Sequence, residues 1–276
     1  MTTGSKRYSN LKERLFAGLA GSLIIIAAVS WSEWSYLVVL LLISGMSMRE
    51  FYQLSELDGK SPLAVYGIIS GLMIFIINFL VEMSLLDSKF YLLYIPLLSA
   101  VFFLVLYDDK RKKPFTAAAF TLLGIFYVAI PLTLFNVTAF SRGKYSFEIP
   151  LGILLMLWSS DTFAYFFGSR FGKRRLFERV SPKKSWEGFM GGTAGALGMC
   201  FIISYYFVDL QLWQWVVLSL ITAVAGTYGD LIESLFKRSI SIKDSASTIP
   251  GHGGFLDRFD GLLLIAPYAA VFLKLF

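Results

Sequence analysis

The chain has 276 residues, of which 56% are hydrophobic and only 16% charged, and its mean hydropathy is +0.66. Soluble domains carry about 25% charged residues, and the apolar runs here recur along the whole length. The composition therefore excludes an ordinary soluble domain and predicts one integral membrane domain over 1–276. A formal net charge of +6 ordinarily directs attention to nucleic acid. Here the basic residues sit in short loops between apolar runs, which points to membrane orientation and to no nucleic-acid partner.

In chain order the apolar runs predict nine spans, at 15–30, 36–48, 62–80, 91–107, 115–137, 150–167, 188–207, 213–229 and 261–275. Several are shorter than the ~20 residues of a perpendicular transmembrane helix. The polar, basic start is followed by an apolar run that leads into further spans, so no cleavable signal peptide is expected. Trp31-Ser-Glu-Trp34 reads as an interfacial aromatic belt between the first two helices, with a re-entrant hairpin as the alternative there. The single cysteine, Cys200, lies in an apolar stretch; an internal disulfide is excluded and a buried, inert thiol expected.

Placing the amino terminus inside puts every Lys and Arg on the inner face except Lys89, Arg142, Lys144 and Lys274. That asymmetry is what the positive-inside rule expects. The fold class follows: all-α, a polytopic integral membrane protein with about nine transmembrane helices, N-terminus inside and C-terminus outside. Both long polar loops, 170–187 and 230–260, then face the cytoplasm. No internal repeat is visible, which removes one sign of a transporter.

The second of those loops concentrates charge. Asp230, Glu233, Ser234 and Lys237 recur at i, i+3, i+4 and i+7, one polar stripe if helical. Glu233 and Lys237 alone could be a surface ion pair; Asp230, a turn deeper, wants a cation partner. Further on, Gly253-Gly254 permits close approach of backbone to a ligand, and Asp257, Arg258 and Asp260 follow. Asp260 is either part of a site or an N-cap of the last helix. His252 is either a phosphate contact or proton shuttle, or a structural hydrogen bonder. One histidine and one cysteine cannot build a zinc site; carboxylates suit a hard cation such as Mg2+, with Asp230 and Asp257 as the expected ligands.

The first loop is basic and ends in Ser181-Pro-Lys-Lys-Ser-Trp-Glu-Gly188. Its charge suits anionic lipid headgroups. Lys183, Lys184 and Ser185 also suit a triphosphate, although no Walker A pattern occurs. Asp161 lies inside the sixth span, where a lone carboxylate is costly, and Glu50 near the end of the second is a further candidate.

Taken together, the residues Ser234, Lys237, Arg238, Lys243 and Asp244, then His252, Gly253, Gly254, Asp257, Arg258 and Asp260, resemble the signature of the phosphatidate cytidylyltransferase family, also called CDP-diacylglycerol synthase. The segments D-x-x-A-Y-x-x-G from Asp161 and S-P-K-K-S-W-E-G from Ser181 are similar to that family too. The likeness is strong over 150–276, which would hold the catalytic helices and cytoplasmic loops, and is confined to hydropathy over 1–149.

The resemblance implies transfer of CMP from CTP to phosphatidate in phospholipid biosynthesis, in the cell membrane, with the active site facing the cytoplasm. It implies Asp230 and Asp257 as metal ligands, with Asp161, Asp244 and Asp260 as ligands of the same or a second, monovalent cation. Lys237, Asp260 and His252 would serve catalysis. Lys183, Lys184, Ser185, Ser234, Arg238, Lys243, Gly253, Gly254 and Arg258 would bind substrate. Implied partners are CTP, phosphatidate, membrane lipids and a second copy in a homodimer. A cation or lipid transporter, and a CTP-dependent lipid-alcohol kinase, are the competing readings.

Overall fold

The computed structural model describes residues 18–240 and 254–276. The helices are α1 (Gly18–Trp31), α2 (Glu33–Leu57), α3 (Ala64–Glu82), α4 (Tyr94–Leu106), α5 (Pro114–Gly124), α6 (Ile130–Ala139), α7 (Glu148–Phe171), α8 (Trp186–Tyr206), α9 (Leu212–Ser239) and α10 (Leu256–Leu275). A 3-10 segment, Ser88–Leu93, leads into α4, and a π turn, Ile125–Ala129, joins α5 to α6 in one rod. Nine rods therefore stand among the described residues where nine spans are expected. Seven of them are long and apolar enough to cross a membrane. In the absence of water only a helix satisfies its own backbone across the hydrocarbon, and the chain is an all-α polytopic membrane protein.

The remaining two rods depart from that pattern for visible reasons. The described part of α1, Gly18–Trp31, is shorter than a full span, and α10 has 20 residues but includes Asp257, Arg258, Asp260 and Lys274. Around Trp31 and Trp34 the chain forms two separate helices, α1 ending at Trp31 and α2 starting at Glu33. Ser32 is the N-cap of α2, its hydroxyl accepting from Ser35 N at 3.2 Å. Both tryptophans are exposed. Cys200 is buried and free.

The 170–187 loop is shorter than expected and partly ordered as strands. α7 runs to Phe171, after which β1 (Arg175–Phe177) pairs antiparallel with β2 (Ser181–Ser185). Glu187, in the first turn of α8, accepts from Lys173 N at 3.0 Å and Arg174 N at 3.2 Å, and so ties the base of this hairpin to the helix. The other loop is also shorter than expected, because α9 continues to Ser239 and α10 starts at Leu256.

Packing relies on small residues where helices touch most closely. A Cβ on Gly192 of α8 would stand 2.9 Å from Ser160 O of α7, and Ser159 Oγ donates to Gly195 O at 2.9 Å. α10 packs on α9 and α6 and touches α2 and α7. The core is aromatic, with Tyr36, Phe51, Tyr52, Phe75, Phe79, Phe135 and Trp215 fully buried.

Candidate active site

Two antiparallel helix ends build the site. Because α9 runs on past its apolar stretch, Asp230, Glu233, Ser234 and Lys237 lie along one face of an unbroken helix. Ser234 Oγ donates to Asp230 Oδ1 at 3.3 Å, and Lys237 Nζ meets Glu233 Oε2 at 2.8 Å. α10 supplies Asp257 and Asp260 from its first turns. Asp260 is not an N-cap, since the helix begins four residues earlier; its Oδ1 accepts from Gly261 N at 2.6 Å.

The helices meet backbone to backbone. A Cβ on Gly229 would overlap the carbonyl oxygen of Asp260 and stand 2.8 Å from Gly261 Cα. That approach brings one carboxylate oxygen from each of Asp230, Glu233 and Asp260 within 4.8 Å of one another. The donor set is oxygen only, which fits a hard divalent cation and not zinc.

Asp230 and Asp257 are the ligand pair expected from sequence. The converging group retains Asp230 but contains Glu233 and Asp260, while Asp257 Oδ1 accepts from Lys237 Nζ at 3.1 Å. The cause is helical geometry. Asp257 stands about one turn before Asp260, so on antiparallel helices it meets α9 farther along, at Lys237. Lys237 thus bridges Glu233 on its own helix to Asp257 on α10.

The cation partner that Asp230 wants comes from the hairpin. Lys184 Nζ reaches Asp230 Oδ2 at 2.6 Å and donates to Thr227 O at 3.1 Å. Asp161, exposed on α7, interacts electrostatically with Lys184, Asp230 and Arg258. Asp260 in turn feels Asp230, Lys184 and Asp161. One charge network therefore draws on α7, the hairpin, α9 and α10. Lys183, Arg238 and Arg258 are exposed. Ser185 is buried, and its Oγ accepts from Gly188 N at 3.1 Å as the N-cap of α8. Lys243, Asp244, His252 and Gly253 lie outside the described residues.

Glu50 has a role that its sequence neighbours do not reveal. Buried at 1% exposure on α2, it accepts through Oε2 from Phe255 N at 2.7 Å and Leu256 N at 3.3 Å. A carboxylate there satisfies orphan donors at the N-terminus of α10 and complements its dipole. A Cβ on Gly254 would overlap this carboxylate, so the glycine serves the close approach of the chain to Glu50. Glu50→Ala is expected to lower stability by about 2 kcal/mol, read as a melting temperature about 5 °C lower in detergent. A melting temperature equal to that of the wild type would refute the anchoring role.

The family model described as "Cytidylyltransferase family" matches residues 12–276. A phosphatidate cytidylyltransferase of Staphylococcus haemolyticus is 31% identical over 267 residues, covering 95% of this chain and 99% of the relative. One from Staphylococcus saprophyticus is 37% identical over 223 residues, 76% of this chain and 80% of the relative. One from Staphylococcus aureus (strain COL) is 40% identical over 167 residues, 60% of this chain and 62% of the relative. With a match that runs over nearly its whole length, the chain belongs to the cytidylyltransferase family.

Proposed function

We propose that this membrane enzyme, a nucleotidyltransferase, transfers CMP from CTP to phosphatidate, giving CDP-diacylglycerol and pyrophosphate. The likeness to phosphatidate cytidylyltransferases over 95% of the chain carries the reading. The carboxylates and lysines gathered at membrane-helix ends supply chemistry that suits it. A phosphate monoester is already a competent nucleophile. One of its oxygens attacks the α-phosphorus of CTP, the bond to the oxygen bridging to the β-phosphate breaks, and pyrophosphate leaves with that electron pair. Neither a protein nucleophile nor a proton transfer is required by this exchange, so catalysis rests on alignment and on neutralising charge.

In this reading Asp230, Glu233 and Asp260 would hold Mg2+, which when bound would offset charge on the phosphates. Lys184 and Lys237 are already drawn toward the carboxylates and stand ready to contact phosphate oxygens. Lys183, Arg238 and Arg258 extend the basic surface for the triphosphate, and Ser234 keeps Asp230 oriented. Asp161 and Asp257, together with Lys243, Asp244, His252, Gly253 and Gly254, complete the proposed site, with Asp161 or Asp244 available to a second, monovalent cation. The proposal places the amino terminus and this site on the cytoplasmic side of the cell membrane. It assigns catalysis to 150–276 and includes a homodimer.

The test is incubation of purified protein with labelled CTP, Mg2+ and phosphatidate. A CMP-bearing lipid with pyrophosphate release is expected. CDP release with a phosphorylated lipid alcohol would replace the proposal by a kinase, and absence of nucleotide turnover with any lipid would favour transport.

A further inference from the structure

Beside the carboxylates lies a cavity of about 210 Å³, bounded by the π turn, α6, α9 and α10 and lined by Phe126, Tyr127, Pro131, Ile232, Leu263 and Asp260. Pockets that enclose a whole drug-sized ligand run to roughly 300–1,000 Å³. This one suits a segment of a longer molecule. Its lining residues are apolar except for Asp260 and Tyr127.

Tyr127 owes its position to a local fault in the helix. Pro131 lacks an N–H, and its ring conflicts with the carbonyl four residues back, that of Tyr127. The rod widens there, and Ile130 N bonds instead to Ile125 O. Such π turns inside α-helices frequently mark functional sites. The Tyr127 ring is held against Phe51 at 5.9 Å between centroids, and Phe51 stacks on Phe236 of α9 at 5.0 Å. The hydroxyl at the end of this ring is buried and has no hydrogen-bond partner among the described residues. Its electrostatic neighbours are Asp260, Glu233 and Asp230. A buried phenol with no partner costs stability and calls for an explanation. An acceptor oxygen on a ligand bound between the cavity and the carboxylates would be that partner.

We propose that Tyr127 is a substrate-contacting residue: its hydroxyl donates a hydrogen bond to phosphatidate where the phosphate meets the glycerol, and the cavity takes the adjoining apolar part of the lipid. This rests on the function proposed above. The apolar lining favours the lipid over CTP as the molecule contacted, since a nucleotide brings no apolar segment to fill it.

The test is Tyr127→Phe, which keeps the ring packed on Phe51 and removes only the oxygen. The apparent KM for dioleoyl phosphatidate in mixed micelles should rise about tenfold, the factor that one hydrogen bond supplies. The KM for CTP should stay within about twofold, and the melting temperature should not fall, because no partner among the described residues is lost. The rise in melting temperature on adding phosphatidate should shrink, whereas that on adding CTP with Mg2+ should persist. An unchanged KM for phosphatidate, a rise confined to the KM for CTP, or a lower melting temperature with unaltered kinetics would each overturn the assignment. If the wild-type protein fails to join CTP and phosphatidate, the functional reading falls separately. The phosphatidate-induced shift then decides the inference alone: a smaller shift in the variant supports it and an equal shift ends it.

Discussion

Asp260→Asn is expected to lower turnover by about a thousandfold or more without unfolding the protein. The Asp260 carboxylate stands with those of Asp230 and Glu233, one oxygen of each within 4.8 Å of the others. Like charges so close repel, and two lysines, each bonded to one member, offset this only in part. A carboxylate kept for stability destabilises the protein when it is neutralised. One kept to hold a cation does the opposite, since neutralising it relieves repulsion. Asparagine preserves shape and can still accept from Gly261 N, so folding is spared. Loss of one ligand from a metal and phosphate site costs on the order of 10²–10³ in kcat or more. Glu233→Gln should behave alike, with the added effect that Lys237 loses its ion pair on α9 and keeps the one to Asp257 on α10. The measurement is steady-state turnover beside Mn2+ binding by paramagnetic resonance and melting temperature. Near-normal turnover and Mn2+ binding in Asp260→Asn would remove it from the proposed metal site.

How much of this was legible in the sequence depends on whether the determining contact is local. The polar stripe of α9 was readable because i, i+3, i+4 and i+7 spacing fixes a helical face whatever surrounds it. The need of Asp230 for a cation was readable from the cost of a carboxylate in an apolar helix, but the identity of that cation, Lys184, depended on a hairpin. Ser-Pro-Lys-Lys-Ser carries no strand pattern, and its strand forms because Glu187 ties down the opposite end. Asp260 could pass for an N-cap because the true anchor of α10, Glu50, lies 205 residues from Phe255. The π turn was hidden too, since Gly-Ile-Phe-Tyr-Val-Ala-Ile reads as one apolar run until Pro131 is set against the carbonyl of Tyr127. The nine rods followed from hydropathy alone, because hydrocarbon admits few other spanning structures.

Gly229→Ala should be the most disruptive single-methyl change in the site, and comparison with Gly226→Ala makes the expectation sharp. Both glycines lie inside α9, where alanine is ordinarily better by about 1 kcal/mol on helix propensity. Without steric conflict both substitutions would stabilise. At Gly226 the new methyl would face Leu157 Cδ1 at 3.1 Å and Ile265 Cδ1 at 3.3 Å. Those are ends of flexible side chains that can give way, so a small effect of either sign is expected. At Gly229 it would overlap the carbonyl oxygen of Asp260, with Asp260 C at 3.0 Å, and this is backbone inside another helix. One helix must move, at a cost of about 1–3 kcal/mol for overpacking. Movement also separates Asp230 from Asp260, and a displacement of about 1 Å in a site that works by alignment costs on the order of 10²-fold in rate. Gly229→Ala should therefore lose both thermal stability and turnover, while Gly226→Ala keeps most of each. A Gly229→Ala protein as stable and active as the wild type would mean that α9 and α10 do not hold the carboxylates together by backbone contact.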